Sequence, residues 1–120
     1  MTYGGSIIIG DRCSINPHTV IYGHGKGTVI GNDVLIAAHC VIIPANHNFS
    51  DASRPINAQG VNSKGIIIHD NVWIGAGCTI LDGVEIGAGA IVAAGCVVNR
   101  DVPENVIVGG VPCRIIKKRN

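Results

Sequence analysis

The hydrophobic residues of this chain recur every six positions, in three runs that each keep their own register. The runs are Ile9, Ile15 and Ile21; Ile30, Ile36 and Ile42; and Ile68, Ile74, Ile80, Ile86, Val92 and Val98. A helix would repeat its apolar positions every 3.6 residues, and long alternating strands would not contain the glycine, aspartate and asparagine found within these units. The pattern therefore predicts units of one short strand followed by one turn.

Units of this kind predict an all-β solenoid, in which each strand pairs with the strands above and below it. The twelve aliphatic positions of the runs should then stack into buried ladders. The fifth position of a unit is small or β-branched, and four of the five cysteines occupy it: Cys13, Cys40, Cys78 and Cys96. We expect these thiols to act as small buried hydrophobic groups, without a metal or redox role.

The register of the repeat breaks twice before Val98, at stretches rich in polar residues or glycine, and it shifts again after Val98 through 101–105. Between Ile21 and Ile30 the spacing is nine, and the extra residues fall in the glycine-rich stretch 23–27, which we interpret as a bulged corner. Between Ile42 and Ile68 lies the polar segment 46–65. Long irregular loops in small domains are usually functional or disordered, so this loop is where we expect the chemistry.

Composition and charge limit the remaining possibilities. The chain has 120 residues, 47% of them apolar, with 17 glycines but only four aromatic residues, which predicts one domain (1–120) with a narrow aliphatic core. A net charge of +1 argues against nucleic-acid binding. The longest apolar stretch, 34–45, is shorter than the ~20 residues of a membrane span. Without a signal-like N-terminus, and with an odd number of cysteines, a reducing cytoplasm is the expected location.

Four motifs in order give the chain a family resemblance. They are the segment 30–37 (IGNDVLIA), Asn46-His47, the segment 71–75 (NVWIG) and the closing segment 110–116 (GVPCRII). The chain resembles the hexapeptide acyltransferases, above all the galactoside and maltose O-acetyltransferases and the polysaccharide O-acetyltransferases. The resemblance implies a left-handed parallel β-helix with one protruding loop. It also implies acetyl-coenzyme A as co-substrate without a metal, a sugar acceptor, and a homotrimer with active sites between subunits.

By the same resemblance, His47 at the start of the loop is the general base. Imidazole suits this role because its charge changes near neutral pH, so it can take the proton of a hydroxyl as that oxygen attacks a thioester. Asp51, four residues further on, is the candidate partner of His47, although a backbone carbonyl would serve equally well. No acyl-enzyme is needed, because acetyl-coenzyme A is already activated.

The resemblance also assigns residues to the two substrates. Asn16 and Trp73 fall on the acceptor side, although Asn16 could equally be a turn residue. Backbone groups near Gly75 would meet the thioester and pantetheine arm, and basic residues of the tail 114–120 would face the phosphates. The full set expected to contact coenzyme A is Gly75, Ala76, Ala94, Asn99, Arg100, Arg114 and Lys117.

Three alternatives remain open from the sequence. The same base would serve an N-acetyltransferase that acts on an amino sugar, and a solenoid can also be a non-catalytic scaffold. A third is a zinc enzyme similar to the γ-class carbonic anhydrases, which the spacing of the histidines disfavours because no H-x4-H pair is present. The other histidines are expected to be surface residues at turns or at the bulge: His18, His24, His39 and His69.

Overall fold

Short parallel strands stacked in coils make up most of the molecule. The computed structural model describes residues 1–120, and its one helical element is the 3-10 turn Ile56–Ala58. The strands are β1 (Thr2–Ile9), β2 (Ser14–Ile15), β3 (Val20–Ile30), β4 (Leu35–Ile36), β5 (Val41–Ile42), β6 (Asn46–His47), β7 (Val61–Asn62), β8 (Ile66–Ile68), β9 (Trp73–Ile74), β10 (Thr79–Ile80), β11 (Glu85–Ile86), β12 (Ile91–Val92), β13 (Val97–Val98), β14 (Val106–Gly109) and β15 (Arg114–Lys118).

The strands stack into three parallel faces that enclose one core. One face stacks β2, β4, β9, β12 and β14; the second stacks the start of β3 on β5, β10 and β13; the third stacks β1, the end of β3, β8 and β11. The molecule is accordingly long and narrow, 50 × 28 × 21 Å. This is a parallel β-helix, and the all-β solenoid predicted from the period of six is confirmed.

The register of the strands matches the hexads. Ile36 pairs with Ile74, and Ile74 pairs in turn with Val92. Ile80 pairs with Val98, which lies three six-residue units further along the chain. These side chains are fully buried, as the ladders require. Two of the twelve predicted ladder positions differ, since Ile9 and Ile15 are 40% and 39% exposed. Both lie in the first coil, where no coil beneath covers them.

A column of small side chains runs up one corner of the core. Cys40, Cys78 and Cys96 are buried there, as expected, and the thiols of Cys40 and Cys78 donate to the carbonyls of Gly75 and Ala93. Burial raises the pKa of Cys96 to about 12, so its thiol stays neutral. The expectation is only partly met at Cys13, which lies in the first coil and is half-buried.

Residues in the left-handed backbone region form ladders at the corners. One corner stacks Arg12, Asp33, Asn71, Gly89 and Asn105, and another stacks His18, His39, Gly77 and Gly95. From the second coil onward, the N–H of each of these turn residues donates to a carbonyl of the coil before it, as Asn71 does to Asn32. Asparagine, aspartate and glycine tolerate this conformation best, which explains why these residues recur between the aliphatic positions.

The chain ends in a strand rather than in a loose tail. β15 runs antiparallel to β14, with Arg114 opposite Gly109 and Lys117 opposite Ile107, and so extends the first face. The structure contains no helix with the length and apolar character needed to cross a membrane.

Candidate active site

His47 is held on a small hairpin at the base of the long loop. β6 and β7 pair antiparallel, with His47 opposite Val61. The N–H of Asn48 donates to the carbonyl of Gly60 at 2.9 Å, and the amide of Asn62 donates to the side-chain oxygen of Asn48 at 2.7 Å. The backbone of His47 is therefore fixed, while its side chain is exposed and free of hydrogen bonds within the chain.

The outer part of the loop is ordered by its own hydrogen bonds. The side-chain amide of Gln59 donates to the carbonyls of Asp51 and Arg54 at 2.8 and 3.0 Å. The carboxylate of Asp51 accepts from the hydroxyl and the N–H of Ser53, at 2.6 and 3.0 Å, and these bonds lower the pKa of Asp51. Within one chain Asp51 is bonded to Ser53 rather than to His47, so its role as the partner of His47 stays a prediction.

A groove of about 340 Å³ lies beside His47. Four of its seven lining residues are apolar, and no lysine, arginine, aspartate or glutamate lines it. The lining residues are Tyr22, His24, Ile43, Ala45, Asn46, His47 and Val61. A concave, mainly apolar site with a few polar groups is the usual form of a small-molecule binding site.

The glycine-rich bulge forms the second wall of this groove. The bulge is closed by the buried hydroxyl of Thr28, which donates to the carbonyl of Tyr22 at 2.8 Å. The N–H of Lys26 donates to the hydroxyl of Ser63 at 2.9 Å, and that hydroxyl donates to the carbonyl of Pro44. The two breaks in the repeat thus build one site.

Sequence reasoning missed this connection. It assigned the glycine-rich stretch to a corner and His24 to the surface, without placing either beside His47. The repeat did contain information on this contact. Ile21 and Ile42 are the last aliphatic positions before the two breaks, and they stack on each other. Tyr22 and the bulge that follows it must therefore lie next to Ile43 and the start of the loop.

The backbone groups predicted to meet coenzyme A lie together on neighbouring coils. Gly75 donates to the carbonyl of Val92, and Gly95 donates to the carbonyl of Ala76. A Cβ on Gly75 would lie 2.7 Å from the nitrogen of Ala94, so this close approach requires glycine. Ala76 and Ala94 are exposed at the same corner, and both can offer backbone groups to a ligand.

The other predicted contacts are spread over the molecule. Trp73 is 49% exposed on the first face, in register with Leu35 and Ile91, as its expected outward orientation requires. The amide of Asn16 donates to the carbonyl of Ile36 at 2.9 Å, which is the bond of a turn residue, and leaves its oxygen free.

The charged and polar residues predicted to contact coenzyme A lie away from both Gly75 and His47. Asn99 and Arg100 follow β13 and are exposed, while Arg114 and Lys117 are exposed on β15. None of the residues predicted to contact coenzyme A lines the groove of His47 in the same chain. No group of three or more histidine, cysteine, aspartate or glutamate side chains is placed to hold a metal ion.

Proteins with similar sequences include transferases built from the same six-residue repeat. The family model "Bacterial transferase hexapeptide (six repeats)" matches residues 65–100. The galactoside O-acetyltransferase of Escherichia coli is 37% identical over 99% of this chain and 57% of its own length. That of Lactococcus lactis is 38% identical over 93% of this chain and 63% of its own length. The chain therefore spans about three fifths of these relatives.

Solved structures of similar proteins share the architecture. The hexapeptide-repeat containing acetyltransferase VCA0836 from Vibrio cholerae has a TM-score of 0.85 and 39% identity, over 95% of this chain and 63% of that one. AntD, an N-acyltransferase from Bacillus cereus in complex with dTDP-4-amino-4,6-dideoxyglucose and coenzyme A, has a TM-score of 0.88 and 30% identity, over 97% of this chain and 65% of that one.

Proposed function

Since the chain belongs to the hexapeptide-repeat transferase family, we propose that it transfers an acetyl group from acetyl-coenzyme A to a sugar hydroxyl, with His47 as general base. The observation that carries this proposal is the placement of His47. Its backbone is fixed by the β6–β7 hairpin, and its unbonded imidazole borders a groove of small-molecule size. Acetyltransferases among the relatives, and coenzyme A in AntD, support the donor.

The proposed chemistry is one direct transfer. His47 takes the proton of the acceptor hydroxyl as its oxygen bonds to the thioester carbon. The backbone N–H of Ala76 stabilises the resulting oxyanion, since the N–H of Gly75 is already bonded to the carbonyl of Val92. The carbon–sulfur bond then breaks, and the thiolate of coenzyme A takes the proton back from His47. The products are the acetyl ester and free coenzyme A.

The uncharged lining that one chain supplies to the groove favours a hydroxyl over an amine as acceptor. An amino sugar is a cation at neutral pH, and its binding would be helped by a nearby carboxylate. No carboxylate lines the groove, and Asp51 is bonded to Ser53. N-acylation remains the second candidate because AntD, whose fold matches this one, is an N-acyltransferase.

A complete site is proposed to form between copies of the chain. The candidate coenzyme A contacts lie away from the groove of His47, which supports a homotrimer in which one subunit supplies the base and the next supplies the donor site. Exposed apolar residues on the first face, Leu35 and Trp73, offer surface for such contacts. Sedimentation velocity at decreasing concentration tests this proposal. A monomer that kept full activity would contradict it.

Two further proposals follow from the family. We infer that the coil is left-handed, as in the hexapeptide acyltransferases, and a crystal structure with the opposite hand would contradict this. The cytoplasmic location stays a prediction, which fractionation of the source cells would test.

The main test is the release of coenzyme A thiol from acetyl-coenzyme A with a panel of sugars and amino sugars. We expect release that depends on a hydroxyl acceptor and falls by about 10²-fold or more in His47→Gln. His69→Gln is the matched control, since His69 is bonded to Glu85 on another face. Equal activity of His47→Gln and wild type would rule out His47 as the base. Turnover of amino sugars alone would favour N-acetylation.

A further inference from the structure

The rings of Tyr3, Tyr22 and His24 form a row, and the last two of them line the groove of His47. The rings of Tyr3 and Tyr22 are 5.4 Å apart between centroids and nearly parallel, at 21°. The next pair, Tyr22 and His24, is 5.6 Å apart and inclined by 36°. The chain has only four aromatic residues, so two of them are placed in this one row. This concentration of aromatic rings near the proposed base indicates a role in binding a substrate.

Strand pairing and a close contact at Gly4 position the row. Tyr3 and Tyr22 lie opposite each other on the parallel strands β1 and β3. A Cβ on Gly4 would lie 3.2 Å from Nε2 of His24, and Gly4 has a φ of +44°, so the imidazole packs on a position that only glycine fills well. Rings fixed in this way present a preformed surface, which lowers the entropic cost of binding.

The groove beside the row has the character of a site for an uncharged ring. Tyr22 and His24 form one wall, and Ile43, Ala45 and Val61 supply apolar surface. A volume of about 340 Å³ is at the low end of small-molecule sites, so it suits one sugar ring rather than a chain of several. A pyranose matches this lining, because it has an apolar C–H face and a rim of hydroxyls.

We propose that Tyr22 and His24, backed by Tyr3, form the acceptor platform, on which a neutral pyranose lies by its C–H face while one hydroxyl points to His47. This inference rests on the proposed function for the role of His47, but the binding surface itself does not depend on catalysis. Tyr22 and His24 are thus specificity-determining residues. They act by contact with the acceptor and leave the donor site unaffected.

Kinetics with the most active sugar of the panel test the platform. We expect His24→Leu and Tyr22→Leu to raise the KM for the acceptor about 3- to 10-fold, with little change in the KM for acetyl-coenzyme A. Gly4→Ala should act in the same direction, since it displaces the imidazole without removing it. His69→Leu is the matched control and should leave both constants unchanged. An unchanged acceptor KM in all three test variants would overturn the proposal.

Binding measured without turnover separates this proposal from the function. Saturation-transfer NMR with methyl galactosides and methyl glucosides should show binding to wild type and to His47→Ala, and weaker binding to His24→Leu and Gly4→Ala. If His47→Gln were fully active while binding still depended on His24, the platform would stand and the assigned base would fall. Binding of dTDP at the row, with no binding of the glycosides, would assign the platform to a nucleobase and overturn the proposal.

Discussion

The N–H of Lys26 donates to the hydroxyl of Ser63 at 2.9 Å, across 37 residues of sequence. This bond joins the two insertions that interrupt an otherwise regular coil. The insertions also approach closely, because a Cβ on Gly25 would lie 2.3 Å from the Cβ of Ser63. The groove beside His47 is lined by residues from both insertions and from the coils that carry them, so the contact between the insertions shapes this site.

Ser63→Ala should loosen the loop without unfolding the coil. The exposed bond to Lys26 and the part-buried bond to Pro44 are both lost, and the carbonyl of buried Pro44 is left without its donor, so the free energy of unfolding should fall by about 1–3 kcal/mol. The effect should be local, and hydrogen exchange of the Asn48 amide, which closes the hairpin of His47, should become faster.

Ser53→Ala is the matched control for this variant. It removes a loop hydroxyl that bonds only to Asp51, within its own turn. Exchange at Asn48 should then stay as in wild type. If Ser63→Ala also left that exchange unchanged, the link between the two insertions would have no mechanical role.

The sequence predicted the coils well because their period reports directly on burial. Ile68, Ile74 and Ile80 are six residues apart, lie on the three different faces of the coil, and each points its side chain into the same core. The site was predicted less completely. His47 could be assigned from a motif, whereas the approach of His24 depends on which insertion lies over which, and that relation appears only once the coils are stacked. Contacts such as Asp51 with Ser53 depend on loop geometry that no period encodes.

Ile74→Ala should be among the most destabilising substitutions in the chain. Ile74 is fully buried between Ile36 and Val92, and its truncation leaves a cavity that the stacked backbone cannot close. We expect the free energy of unfolding to fall by about 2–5 kcal/mol in urea titrations. Ile67→Ala is the control, because Ile67 is 43% exposed on the outer side of β8. A similar loss at both positions would argue against the ladder as the main source of stability.

Asn71 should tolerate glycine but not valine. Its φ is +58°, where a β-branched residue is strained and glycine is not. Asn71→Val is therefore expected to lose about 1–2 kcal/mol of stability, with Asn71→Gly within about 0.5 kcal/mol of wild type. Thermal unfolding of the three proteins in parallel gives the comparison. Equal stability of the valine and glycine variants would show that this corner relaxes out of the left-handed region.

The ion pair of Asp33 with Arg12 should give a stability difference that depends on pH. The guanidinium donates to both carboxylate oxygens, at 2.7 and 3.1 Å, and this contact lowers the pKa of Asp33. A carboxyl whose pKa is lower in the folded state stabilises that state above its unfolded pKa. The contribution is lost as the pH falls through the lowered value. Wild type should therefore be more stable than Asp33→Asn at neutral pH, and the difference should disappear in acid.

The size of this difference should be small, because both side chains are largely exposed and solvent screens the pair. Asparagine is the suitable replacement, since Asp33 has a φ of +58° and asparagine tolerates that conformation. Arg12→Gln should show the same pH profile, and added salt should reduce the difference for both variants. Denaturant titrations across the acid range provide the measurement. A difference that persisted in the most acidic buffer in which the fold survives would mean that Asp33 acts through its turn geometry rather than through its charge.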